Sequence, residues 1–144
     1  MANFKISTKG NKAVLKKLRD IEKQAQTAIK SEMEAALYEI QGKAVSKVPV
    51  DTGVLKNSIR VDAADIKNLK GSVIAEADYA PYVEFGTGAL VDVPEGLEDY
   101  AIQFKGQGKR QVNLPPRPFL IPAWEQERLK LVDNIEKAIE NELK

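Results

Sequence analysis

Apolar residues recur at steps of three and four from Val14 through Leu18, Ile21, Ala25, Ile29, Met33, Leu37 and Ile40 to Ala44, and the stripe stops short of Pro49. That spacing keeps one face of an α-helix apolar, and a proline ends a helix because it has no amide hydrogen to donate. Asn11 stands where a capping residue belongs. A single helix through this region is on the order of 50 Å long at 1.5 Å per residue. A rod of that length outruns a small domain, so part of its stripe is expected to pack against something else. A helical hairpin broken near Thr27 or Gly42 is the alternative, since helices beyond about 25 residues are unusual in globular domains. Ahead of the helix, Phe4-Lys5-Ile6-Ser7-Thr8 alternates apolar and polar residues and predicts a short strand that ends in a turn at Lys9-Gly10-Asn11.

Beyond Pro49 the texture changes. Asp51-Thr52-Gly53 predicts a turn or short helix carrying Val54, Leu55 and Ser58, with Asp51 or Thr52 as its cap. Ile59-Arg60-Val61-Asp62-Ala63 and Ser72-Val73-Ile74-Ala75-Glu76-Ala77 alternate in part, and Lys70-Gly71 lies between them, so an antiparallel pair is expected. The aromatics of Tyr79-Ala80-Pro81-Tyr82-Val83-Glu84-Phe85 then precede the turn Gly86-Thr87-Gly88, where the sheet is expected to meet the helix. Residues 89–114 form a long excursion, exposed and partly mobile, with a short helix around Leu97–Ile102. Pro115-Pro116-Arg117-Pro118 is stiff and extended, because each proline fixes its own φ and restrains the residue before it. It leads into a second helix, whose apolar face is marked by Leu120, Trp124, Leu131, Ile135 and Ala138 and which runs almost to Lys144. The fold class expected is α+β: a long N-terminal amphipathic helix and a C-terminal helix packed on a small antiparallel sheet. One domain spans 1–144, with a variable exposed loop at about 89–114.

Charge adds little to this picture. The 144 residues hold 22 lysines and arginines against 21 aspartates and glutamates, a balance that sets up no field to steer a charged partner. Cysteine and histidine are both missing, which removes disulfides, thiol nucleophiles, imidazole bases and most transition-metal sites. No apolar run approaches the roughly 20 residues of a membrane span, and Met1-Ala2-Asn3-Phe4-Lys5 has no signal-like stretch. A soluble product of a cytoplasm is expected, with no membrane partner.

Each candidate for chemistry has a plainer structural reading. Gly106-Gln107-Gly108-Lys109-Arg110 resembles a phosphate loop only superficially, because Gln103 stands where the first glycine belongs and Arg110 where serine or threonine is needed. It reads as a loop tip, with Lys105, Lys109 and Arg110 as candidate contacts to a partner or to a nucleic-acid backbone. Gly86 and Gly88 are expected to supply positive φ. Asp51, Glu76, Asp78 and Glu84 lack the spacing that would gather them on one helix face, so each is read as a cap, a turn residue or a solvated side chain. Trp124, Tyr79, Tyr82 and Phe85 are expected to pack in the core rather than stack on bases. Arg117, held between prolines, is expected to pin a backbone carbonyl or carboxylate through its guanidinium in preference to touching a partner.

Three runs stand in a distinctive order: Val48-Pro49-Val50-Asp51-Thr52-Gly53-Val54-Leu55-Lys56-Asn57-Ser58-Ile59, then Tyr79 to Thr87, then Pro116-Arg117-Pro118-Phe119-Leu120-Ile121-Pro122-Ala123. With a long helix before them and a terminal helix after, they resemble a tailed-phage neck and tail-completion family. Its members are often labelled minor tail component, and the lambda minor tail protein Z belongs to the same broad group. The resemblance covers nearly the whole chain, with 89–114 as the variable part. It implies a small α+β structural protein of a virion, placed at the neck or tail and made in the cytoplasm of a bacterial host. Such a subunit helps join a filled head to a finished tail, as a ring around the DNA path. It implies no enzymatic activity and no cofactor, and offers no catalytic, cofactor or metal position. Asp51, Thr52, Gly53, Tyr82, Glu84, Phe85, Gly86, Thr87, Arg117, Pro118 and Phe119 are its signature residues, expected to shape the fold. The implied partners are head-closure and tail-terminator proteins, sister copies in a homo-oligomer, and non-specifically the passing DNA. A nucleic-acid-binding module using the long helix and the Lys105 to Arg110 loop is the competing function.

Overall fold

The computed structural model describes residues 11–51, 53–105 and 113–144. The strand expected at Phe4 to Thr8 lies outside them. The stripe that begins at Val14 does form one unbroken helix, α1 (Asn11–Lys47), so there is no break at Thr27 or Gly42. Gly42 lies on an exposed side with open space around it, so the helix continues through it without a packing demand.

Five short elements follow: α2 (Val54–Asn57), the strand β1 (Ile59–Asp62), a 3-10 turn at Ile66–Asn68, the strand β2 (Ser72–Ala75), and α3 (Ala80–Phe85). The strands pair antiparallel in the register Ile59↔Ala75, Arg60↔Ile74, Val61↔Val73 and Asp62↔Ser72. Alternation puts Ile59, Val61, Val73 and Ala75 on the face turned to the core, and Arg60, Asp62, Ser72 and Ile74 on the exposed one. The Gln41 side chain of α1 donates to the Ile59 carbonyl at 2.8 Å, fixing the sheet to the long helix.

The excursion is not uniform. It carries a 3-10 turn at Gly88–Leu90, then α4 (Glu98–Ala101) and a further 3-10 turn at Ile102–Lys105, and Ala101 is fully buried. Phe85 stacks on Phe104 with ring centroids 5.7 Å apart, and Tyr100 meets both rings edge-on, so this part of the excursion is held against α3 by aromatic contacts.

The last element, α5 (Leu120–Glu142), runs back along α1. Its line of contact passes through Ala123 and Glu127, and Ala123 packs in one cluster with Ile40 and Ala44 of α1; alanines here let the two backbones approach closely. The core is completed by Val48, Leu55, Ile59, Ala80 and Phe119. This geometry corrects the expectation for Trp124. It sits one residue, about 100° of turn, away from Ala123, and is 49% exposed at the margin of the helix pair. Tyr79 and Tyr82 are also exposed, so of the four aromatics expected inside only Phe85 is in the core.

One ion cluster joins the two long helices. The Lys43 ammonium donates to the buried Glu127 carboxylate, and Lys130, one turn further along α5, donates to the same oxygen at 3.2 Å. Glu127 would otherwise be a buried unpaired charge inside a helix interface, a costly arrangement. The bond from Lys43 holds the Glu127 carboxyl below the usual carboxylate range, against the opposing push of burial. The same bond raises the Lys43 ammonium above its ordinary value.

Candidate interaction site where three motifs meet

The site is built on a problem at the start of α5. The first four amide groups of any helix have no partner within it. In α5 these belong to Phe119, which is the N-cap, and to residues 120–122. Phe119 is 1% exposed, so water does not reach its surroundings freely. Glu84 supplies the partners. Its Oε2 accepts from the amides of Phe119 and Leu120, and its Oε1 from that of Ile121, each at 2.9 Å. The fourth residue is Pro122, which has no amide hydrogen to satisfy. One buried carboxylate and one proline therefore account for the whole set, and the negative charge also lies at the positive end of the helix dipole.

Glu84 is aimed by α3, a helix of six residues whose first turn contains Pro81. The chain leaves α3 through Gly86 at φ 77°, ψ −172°, a conformation essentially confined to glycine. A Cβ at this position would fall 2.7 Å from the Leu114 carbonyl oxygen, 2.9 Å from the Pro116 nitrogen and 3.0 Å from the Leu90 oxygen. The proline segment can lie this close only because residue 86 has no side chain. Thr87 secures it further: its amide donates to the Leu114 carbonyl at 3.0 Å, and its hydroxyl accepts from the Leu114 amide at 2.9 Å.

Arg117 is pinned through its backbone rather than its side chain, its amide donating to the Val83 carbonyl at 2.8 Å. Its guanidinium is exposed and makes no hydrogen bond or ion pair among the described residues, which corrects the pinning expected of it. The prolines explain why. They hold the main chain in place on their own, so the side chain is released toward solvent. Pro118 is exposed and Phe119 is the largest fully buried side chain among the described residues.

The first motif enters through α2. Gly53, not Asp51 or Thr52, is the residue that starts this helix: it has φ 76°, and there is no side-chain cap. Thr52 lies outside the described residues, and Asp51 is exposed. Leu55 anchors the motif in the core. The three motifs thereby line one open cleft of about 590 Å³, with Asp51, Gly53 and Val54 on one side, Tyr79 and Tyr82 on another, and Leu114, Pro115 and Arg117 on the third. Its walls are mainly apolar, with a carboxylate and a guanidinium at the margin.

Several sequence candidates are not part of this gathering. Glu76 pairs with Arg60 at 3.0 Å on the exposed face of the sheet, and Asp78 is exposed. Lys105 is exposed at the end of its 3-10 turn, while Lys109 and Arg110 lie outside the described residues. Among the described residues no group of three or more acidic side chains is placed to hold a metal ion, and no helix is long and apolar enough to cross a membrane. Sequence reasoning missed the Lys43–Glu127 pair. A lone glutamate one turn from Ala123 on the inner side of an amphipathic helix was the available signal.

The fold is α+β, two long helices on a small antiparallel sheet, with the three motifs gathered at one cleft. Residues 12–86 match the family described as "Bacteriophage HK97-gp10, putative tail-component". The match spans more than half of the chain, and the chain belongs to this family. Membership gives it a structural role in a phage tail and a location in the virion, among other phage structural proteins. Comparisons with curated proteins and with solved structures returned no match.

Proposed function

We propose that this chain acts at the neck of a tailed phage or prophage particle, helping to join a filled head to a finished tail, as one subunit of a ring around the DNA path. The observation that carries the reading is the contrast between a thoroughly satisfied interior and uncovered apolar surface. Every orphan amide at the start of α5 is accounted for, yet Val14, Leu15, Leu18, Leu129 and Val132 on the two long helices, and Leu143 at the C-cap of α5, are each at least half exposed. Surface of that kind suits a part that is covered by neighbours on assembly. Head-closure and tail-terminator proteins and sister copies are the neighbours proposed, and kinship with the lambda minor tail protein Z group is proposed with them. The chain is made in the host cytoplasm and has no catalytic role. The signature residues serve this role by shaping the scaffold, and Lys105, Lys109 and Arg110 are the residues offered to passing DNA.

Deleting the gene from an inducible phage and viewing the lysate by negative-stain electron microscopy tests the reading. Filled heads and finished tails that fail to join, rescued by the gene in trans, are expected. Joined, infectious particles at the normal yield would refute it.

A further inference from the structure

The first nine residues of α1 project beyond the helix pair. Lys43 faces Glu127, and Glu142 at the end of α5 shares a shallow groove with residues 20–31 of α1, so the helices run antiparallel, and among the described residues the segment from Asn11 to Arg19 has no helix beside it. All of residues 12–20 are exposed. Within them Val14, Leu15 and Leu18 continue the stripe that further along packs on α5, flanked by Lys12, Lys16, Lys17 and Arg19 with Asp20 as the one acid. This is a basic, apolar helix end.

The outer side of α5 has the opposite character. Glu125, Leu129, Val132, Glu136 and Leu143 recur at helical spacing on the side away from Ala123 and Glu127, with Asp133 and Glu140 beside them, and the three apolar members are more than half exposed. Both helix ends also carry charge of the wrong sign for their own dipoles. No acid lies in the first turn of α1 and no base in the last turn of α5. Basic residues near a helix start and acidic residues near a helix end are unfavourable there unless an opposing charge comes from elsewhere.

We infer that the projecting start of α1 in one copy packs on the outer face of α5 in the next, a second copy of this chain being the occupant of both surfaces. Apolar side chains meet apolar ones, lysines and arginine meet glutamates, and each end receives the charge that its dipole lacks. Like faces cannot pair, because basic would meet basic and acidic would meet acidic. The contact is therefore head-to-tail, the kind that closes into a ring when the rotation between copies permits. It rests on the ring reading above and specifies the contact that makes the ring.

The chain contains no cysteine, so introduced thiols report without background. Leu18→Cys and Leu129→Cys are made singly and together in the full chain. Within one copy the Lys43–Glu127 register separates these positions by about 23 residues of helix, roughly 35 Å, far beyond the few ångströms that a disulfide spans. Under mild oxidation each single variant alone is expected to stay unlinked, their mixture to give a linked dimer, and the double variant a ladder of oligomers. Reversing Lys16, Lys17 and Arg19 to Glu should remove the ladder, and adding Glu136→Lys with Glu140→Lys to the same chain should restore it. Linking only within single variants, or none in the mixture, overturns the contact. So does salt-sensitive binding to duplex DNA that the same reversals abolish while no link between copies forms. The same assay on particles separates the two readings: a chain present in particles but unlinked refutes this contact alone, whereas a chain absent from particles refutes the neck role.

Discussion

Glu84 and Leu120, 36 residues apart, are joined by a 2.9 Å hydrogen bond from the Leu120 amide to a buried carboxylate oxygen that also serves Phe119. The start of α5 is thus organised from α3, and the second and third motifs act as one unit. Glu84→Gln retains the volume but leaves one acceptor for three amides and turns a donor toward them. Leaving buried donors unpaired costs about 1–3 kcal/mol each. A loss of about 2–3 kcal/mol in urea unfolding is expected, with Glu84→Asp also destabilised because its shorter side chain cannot reach. Unchanged stability in both variants would show that water satisfies these amides.

Gly86→Ala tests the close approach of the proline segment. The positive φ alone costs on the order of 1–3 kcal/mol for a residue with a side chain, and the Leu114 oxygen 2.7 Å from the new carbon adds to it. Thermal unfolding should shift down more for this variant than for Gly42→Ala. Gly42 has nothing within 4 Å in front of it, and alanine is expected to be neutral or stabilising there.

The Lys43–Glu127 pair predicts two limits to stability. Glu127 has a lowered pKa in the folded chain, so its contribution is complete above the unfolded value and is lost as pH falls through the folded one. Lys43 has a raised pKa, so its contribution is complete below the unfolded value and is lost as pH rises through the folded one. Urea midpoints should therefore be level at neutral pH. They should fall below the ordinary carboxylate value of about 4.3 and above the ordinary lysine value of about 10.4. Glu127→Gln should flatten the acid limb relative to the parent chain, and Lys43→Met the alkaline one. Parallel profiles in all three proteins would contradict the assignment.

By contrast, the Arg60–Glu76 pair lies in solvent on the outer sheet face. A double-mutant cycle to alanine should give a coupling of about 0.2–1 kcal/mol, falling further in salt.

Local pattern made some of this legible and distance hid the rest. The spacing from Val14 to Ala44 is a property of neighbouring turns, so α1 could be read as one helix. The alternation at Ile59 and Val73 likewise disclosed the strand pair with Lys70-Gly71 between them. A cap is among the readings sequence gives Glu84, but which helix it serves is not legible, because its oxygens face backbone amides 35 to 37 residues on and amides leave no mark in composition. Trp124 misled because size suggests burial, whereas the inner line of α5 follows the small Ala123. Arg117 misled because its motif constrains the main chain and leaves the side chain free.

The central claim is that the chain is a built-in part of a virion. Immunogold labelling of an epitope-tagged, complementing copy in purified particles tests it most directly. Label at the junction of head and tail, retained through density-gradient purification, is the result predicted. Purified infectious particles that carry no label, with all of the tagged chain left in the soluble lysate, would contradict it.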